Sequence, residues 1–222
     1  MINTVIFDMD GVLINSEPVH IRNEQEIFKE LGIEVGEDEH HSFIGVAAKE
    51  VWRRVIKNHQ LDKTPDELFK YGNEKYLEYL RKGEVPPVEG GIELARFFRD
   101  QRLDVLLASS SSFVAISAVL NEFGWENDFD HIVSSDDVKH SKPAPDAFLK
   151  AAELVGEDPS CCVVIEDSTN GVKAAKSAGM FCIGYQSDLA PYQDLAEADM
   201  IVTSLSEIQM QTLQQLKDGN IR

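Results

Sequence analysis

A doubly wound α/β core with an inserted all-helical unit is the fold predicted for these 222 residues, on three observations. Short apolar runs recur without the alternation of a half-exposed sheet, as strands buried on both faces do. From residue 90 onward they alternate with helical stretches, the order that builds a parallel, Rossmann-like sheet. Between the first apolar run and residue 84 that alternation stops, and only helical patterns appear.

The first strand covers residues 4–7 and runs into Asp8-Met9-Asp10-Gly11. Helices are predicted next over 17–31, 49–59 and 66–82. Thr64-Pro65-Asp66-Glu67 opens the third with a capping box and a proline in its first turn. Residues 16–83 are therefore read as a helical cap domain, and residues 1–15 with 84–222 as the core. The expected hinges are 14–17 and 83–91, the second holding Pro86-Pro87 and Gly90-Gly91. In the core, helices over 92–102, 113–123, 146–155 and 171–178 separate strands over 104–108, 131–134, 162–165 and 181–185, with a weaker one over 200–203. Pro145 suits a first helical position, and Gly156 and Gly179 suit helix ends. Ser204 and Glu207 have capping-box spacing ahead of a last helix.

Composition narrows the function. Against 39 Asp+Glu stand 21 Lys+Arg, a net charge of -18. Nucleic-acid binding depends on neutralising phosphates, so an acidic chain without a basic tract argues against it. No stretch reaches the ~18 apolar residues of a membrane span, and the N-terminus lacks a signal peptide's basic region. Cys161, Cys162 and Cys182 have no metal-site spacing and suit a reducing compartment. With no heptad seam, the expectation is a cytoplasmic monomer acting on a small molecule. Any phosphate site must be locally positive, because the overall field repels anions.

Ligands of an open parallel sheet bind at the carboxyl ends of its strands. Strand one ends in Asp8 and Asp10, and strand two in Ser109-Ser110-Ser111-Ser112. After strand three come Asp136-Asp137 and then Ser141-Lys142-Pro143; strand four ends in Glu166-Asp167-Ser168. Acids gathered at one sheet edge repel one another and call for a hard cation. With a lysine and hydroxyls beside them, they read as a magnesium-assisted phosphate site.

DMDGV at 8–12, a serine after strand two, SKPAPD at 141–146 and IEDSTNG at 165–171 occur in this order on a consistent strand pattern. In these motifs, along essentially the whole chain, the sequence resembles the haloacid dehalogenase superfamily, in its beta-phosphoglucomutase-like branch with a helical cap. The resemblance implies a phosphatase of a small phosphorylated metabolite, most simply a sugar phosphate, with a phosphosugar mutase as the alternative. It implies that Asp8 attacks phosphorus to form an aspartyl-phosphate and that Asp10 is the general acid and base. Ser109, helped by the Ser110 amide, would bond the phosphoryl group, and Lys142 would pair with it and with Asp8. Magnesium would sit on Asp8, the Asp10 carbonyl, Glu166 and Asp167. The substrate contacts expected beyond these are Ser110, Ser111 and, in the cap, Glu17, His20, Gly45, Val46 and Lys49. The chain departs from the mutase pattern. Ala47-Ala48 precede Lys49 where an arginine stands in mutases, and Ser112-Phe113 replace a lysine-asparagine pair.

Overall fold

The computed structural model describes residues 1–43, 46, 48–187 and 192–219. Its contacts divide the chain into two units, Met1–Asn15 with Pro86–Arg222, and Ser16–Val85. The second unit holds α1 (Glu17–Glu30), α2 (Glu37–His41), α3 (Ala48–His59) and α4 (Pro65–Arg81). In the first unit the strands are β1 (Thr4–Phe7), β2 (Asp104–Ala108), β3 (His131–Val133), β4 (Cys162–Glu166), β5 (Phe181–Tyr185) and β6 (Met200–Val202). Its helices are α5 (Gly91–Asp100), α6 (Phe113–Phe123), α7 (Asp146–Val155), α8 (Thr169–Ser177) and α9 (Met210–Asp218).

The strands form one sheet in the order β3-β2-β1-β4-β5-β6, each neighbouring pair parallel. β1 and β4 are buried along their whole length, which is why their sequences run apolar without alternation. Ile6, Leu106 and Val164 pack with Phe148 of α7 and Val172 of α8. Each large aliphatic or aromatic side chain so buried contributes about 1.5–3 kcal/mol. The strand order reverses between β1 and β4, and an open α/β sheet has its crevice outside the carboxyl ends at that switch point. Cys162 and Cys182 are buried free thiols, and burial pushes the Cys162 thiol up to about 12.

Where the chain leaves and re-enters this unit, its backbone is stitched. The Asn15 amide donates to the Pro86 carbonyl at 2.8 Å and the Val88 amide to the Leu13 carbonyl at 2.8 Å. Ile14 and Pro87 form an antiparallel bridge.

The helical unit closes on its own core of Ile27, Phe28, Val51, Trp52, Val55 and Leu68. Thr64 caps α4 as its sequence predicts. Its hydroxyl accepts from the Glu67 amide at 3.2 Å, and Glu67 accepts from the Thr64 amide at 2.8 Å. The short α2 has no counterpart in the sequence reading, because five residues show no period. Glu37, Asp38 and Glu39 at its start favour the helix N-terminus. His40, on α2, bonds Glu24 of α1 at 2.9 Å and meets the rings of Phe28 and Phe43 edge-on. The bond to Glu24 raises the imidazole above its ordinary value, against the opposing effect of burial. A raised histidine contributes stability below its unfolded pKa and loses it as pH rises through the folded one. Glu24→Gln is expected to lower the His40 titration, read by its imidazole NMR shifts, and to remove that part of the acid-side stability.

Several boundaries shift by a residue or two. Pro145 is the residue before α7 rather than its first. Ser204 and Glu207 do form a capping box, but it closes a 3-10 turn at Leu205–Glu207, and α9 opens later from Gln209. The fourth predicted core helix begins at Thr169 rather than residue 171, with Ser168 as its cap. Among the described residues, no helix is long and apolar enough to cross a membrane.

Candidate active site

Phe7 lies opposite Ile165 across the β1–β4 pair, and the Asp8 amide continues the ladder to the Ile165 carbonyl at 3.0 Å. That register sets Asp8 beside the end of β4, where Glu166 is the last strand residue. Lys142 reaches both carboxylates from the loop between β3 and α7, where its peptide bond to Pro143 is cis. Its buried ammonium donates to Asp8 Oδ1, to Glu166 Oε1 at 2.8 Å and to the Ala108 carbonyl at 3.1 Å. An ammonium has three protons, and these three acceptors use them. Nζ also stands 4.7 Å from the centre of the Phe148 ring. Burial alone would lower the Lys142 pKa, but Asp8 and Glu166 overcome it and hold the lysine charged. Burial raises the Asp8 carboxyl above the usual carboxylate range, Lys142 opposes it, and Glu166 and Asp10 raise it further.

Glu166 is fixed at its other oxygen as well. The Ser168 amide and hydroxyl donate to Oε2 at 2.7 and 2.9 Å, while Ser168 also caps α8 by accepting from the Gly171 amide at 3.0 Å. The first turn of α8 approaches so closely that a Cβ on Gly171 would stand 1.6 Å from Glu166 Oε1. Gly171→Ala favours the helix by up to ~1 kcal/mol but forces the Glu166 carboxylate away from Lys142. Activity is expected to fall roughly 100-fold and the thermal midpoint to fall with it, because losing the buried Glu166–Lys142 pair outweighs the helix gain, read by steady-state kinetics beside calorimetry.

Asp167 lies against the turn after Asp10. A Cβ on Gly11, whose φ is +84°, would stand 1.9 Å from Asp167 Oδ2. Asp10 Oδ2 accepts from the Ser111 hydroxyl at 3.0 Å and from the Ser109 hydroxyl at 3.4 Å, and Ser109 Oγ accepts from the Ser111 amide at 3.0 Å. Asp8, Asp10, Ser109, Lys142, Glu166 and Asp167 are thus brought together at one sheet edge, with Ser111 joined to them through Asp10. Ser110 is exposed beside them in the chain. Asp136 and Asp137 serve backbone instead, accepting from the Phe113 amide at 2.9 Å and the Ser134 amide at 2.8 Å. Ser168 and the Ala108 carbonyl are site partners that the sequence reading did not single out. Ser168 carried one signal, a serine two residues past Glu166 at a helix start.

The remaining predicted contacts belong to the helical unit. Glu17 begins α1, and His20 on α1 stacks on Tyr76 of α4 with ring centres 4.8 Å apart. Val46 packs against that unit's apolar core. Lys49 Nζ stands 2.9 Å from Asp66 Oδ1 and over the Phe69 ring. Gly45 lies outside the described residues.

The site gathers four carboxylates, on Asp8, Asp10, Glu166 and Asp167, and one lysine, which pairs with Asp8 and Glu166. Among the described residues no group of three or more His, Cys, Asp and Glu side chains stands ready to hold a metal ion. The donor chemistry nonetheless fits magnesium: hard oxygens, surplus negative charge and a buried Asp8 that a cation would help to ionise.

The family model described as haloacid dehalogenase-like hydrolase matches residues 2–179. Over 85% of its length the chain is 36% identical to the chloroplastic protein SUPPRESSOR OF QUENCHING 1 of Arabidopsis thaliana, and it spans only 18% of that relative. It is 32% identical to Fructose-1-phosphate phosphatase YqaB of Escherichia coli strain K12, over 79% of this chain and 92% of the relative. The crystal structure of CbbY from Rhodobacter sphaeroides in complex with phosphate is similar with a TM-score of 0.87 at 27% identity, covering 96% of this chain and 100% of that one. For beta-phosphoglucomutase from Clostridium difficile the TM-score is 0.84 at 24% identity, covering 99% of each, a likeness of fold. On a family match over most of its length and a relative of matching extent, the chain belongs to the haloacid dehalogenase-like hydrolases and is a phosphoric monoester hydrolase.

Proposed function

We propose that the enzyme is a magnesium-dependent phosphatase of a small phosphorylated sugar, working through a phosphoryl group carried on Asp8. The observation that carries this reading is the buried Lys142 ammonium shared between Asp8 and Glu166 at the switch point of the sheet. Asp8 attacks phosphorus as the ester P–O bond breaks, and Asp10 gives a proton to the departing oxygen. Water then attacks the phosphorus of the aspartyl-phosphate and gives its proton to Asp10, returning Asp8 and releasing phosphate. Lys142 holds Asp8 in place and offers positive charge to the phosphoryl oxygens. Ser109 donates to those oxygens. Asp8, the Asp10 carbonyl, Glu166 and Asp167 would hold magnesium, which when bound neutralises charge on the ester and on Asp8.

The sugar phosphate comes from likeness to Fructose-1-phosphate phosphatase YqaB. Water as acceptor is favoured over a second sugar hydroxyl because Ala47-Ala48 and Ser112-Phe113 supply none of the positive charge that the second phosphate of a bisphosphate would need. The reading extends to a monomer in the cytoplasm.

The test is phosphate release from fructose 1-phosphate, glucose 1-phosphate and other phosphorylated metabolites, with magnesium and with chelator. A coupled readout for glucose 6-phosphate runs beside the beta-glucose 1-phosphate arm. Magnesium-dependent phosphate from one or a few sugars is the expected result. Glucose 6-phosphate with little free phosphate would replace the phosphatase by a mutase, and no release from any ester would overturn both.

A further inference from the structure

Ser111 is fixed through both its amide and its carbonyl. Its amide donates to Ser109 Oγ at 3.0 Å, and its carbonyl accepts from the Ser135 amide at 2.9 Å. Ser135 begins the 3-10 turn Ser135–Asp137, which Asp137 closes on the Ser134 amide and hydroxyl at 2.8 and 2.6 Å. On the other side, Asp136 accepts from the Phe113 amide at 2.9 Å. The Ser111 hydroxyl is therefore presented from backbone fixed to both β2's exit and β3's exit, and it donates to Asp10 Oδ2 at 3.0 Å.

Ser109 reaches the same oxygen at 3.4 Å, beyond the usual range for an O–H donor. A hydroxyl has one proton. If Ser109 turns its proton to a phosphoryl oxygen, it releases Asp10, and the Ser111 bond is the one of the two that remains.

We propose that Ser111 is a positioning residue for Asp10. This rests on the proposed function, in which Asp10 moves the protons. Ser111 holds the Asp10 carboxyl through Oδ2. The Asp10 proton passes to the ester oxygen as its bond to phosphorus breaks, and in the second step a water proton returns to Asp10 as the water oxygen bonds phosphorus. The serine run at 109–112 then divides its labour: Ser109 serves phosphate, Ser111 serves Asp10, and Ser112 caps α6.

The test compares kcat/KM for a hexose phosphate and for 4-nitrophenyl phosphate in wild type, Ser111→Ala and Ser111→Thr. An alkoxide leaves badly without a proton, whereas nitrophenolate leaves unaided. Ser111→Ala is expected to lose roughly 10–100-fold on the hexose phosphate and less than about threefold on the nitrophenyl ester. Ser111→Thr, which keeps the hydroxyl, restores the hexose phosphate rate. Equal losses on both esters, or no loss, overturn the proposal. Crystal structures of wild type and Ser111→Ala decide it separately: Asp10 in a new rotamer without the hydroxyl supports the hold, and an unchanged rotamer overturns it. Wild-type enzyme that releases no phosphate from any ester would instead sink the proposed function, with the rotamer comparison still deciding the hold.

Discussion

Asp8→Asn is expected to lower phosphate release from every accepted ester by about 10⁴-fold or more, while the protein stays folded. Asparagine keeps the volume of the side chain and removes the attacking oxygen. Residual turnover within tenfold of wild type would end the aspartyl-phosphate mechanism. The same variant makes a stability prediction with a defined sign. Burial, Glu166 and Asp10 raise the Asp8 carboxyl against the pull of Lys142. A raised carboxyl favours folding below its unfolded value, about 3.9, and that contribution is lost as pH rises through the folded value. Asparagine has no such titration. In chelator, the thermal midpoint of Asp8→Asn relative to wild type should therefore rise from acid towards neutral pH. A flat difference would show that Asp8 is not strained by its surroundings.

Lys142→Met is expected to produce the largest loss of stability. The lysine is buried, and removing it leaves Asp8 and Glu166 facing each other without their shared cation. Breaking a buried ion pair costs about 3–5 kcal/mol, on the order of 10 °C in thermal midpoint for a chain of this size. Methionine keeps an unbranched apolar stem and removes the ammonium, so the loss reports mainly charge, including the ammonium's place over the Phe148 ring. Adding Glu166→Gln should recover part of it, since one of the two stranded carboxylates is then neutral. Calorimetry on the two single variants and the double variant checks this, and strictly additive losses would mean that the three groups do not act together.

The fold class was legible because β1 and β4 are buried on both faces and so write continuous apolar runs. Ends were less legible, since they depend on caps. Ser134 looked like the last residue of β3, but its hydroxyl and amide turn to Asp137 and end the strand at Val133. Glu166 looked like a loop residue, yet it pairs with Gly184 and belongs to β4. At the candidate site, the polar groups following each strand could be read in order, because a parallel sheet delivers its strand ends to one edge. Which atoms meet could not. Asp136 and Asp137 have the same composition as a ligand pair but are spent on backbone amides. Nothing in a run of four serines distinguishes the two that reach Asp10. Gly171 is only the last letter of IEDSTNG in the sequence, and the fold shows the carboxylate that fills the place of its absent Cβ.

The stitch between Asn15 and Pro86 bears on how the chain acquires its shape. Residues Ser16–Val85 lie between two points that the core itself ties together, so to the core they are a closed loop. While that loop is unstructured, closing it costs entropy that grows only logarithmically with length, about 0.6 kcal/mol per doubling. A linker one-tenth as long would save about 2 kcal/mol, a modest sum beside the burial of β1. The interruption after the first strand is thus cheap for the core to tolerate. An entire domain can be gained, exchanged or lost at that point without the sheet having to find a new order.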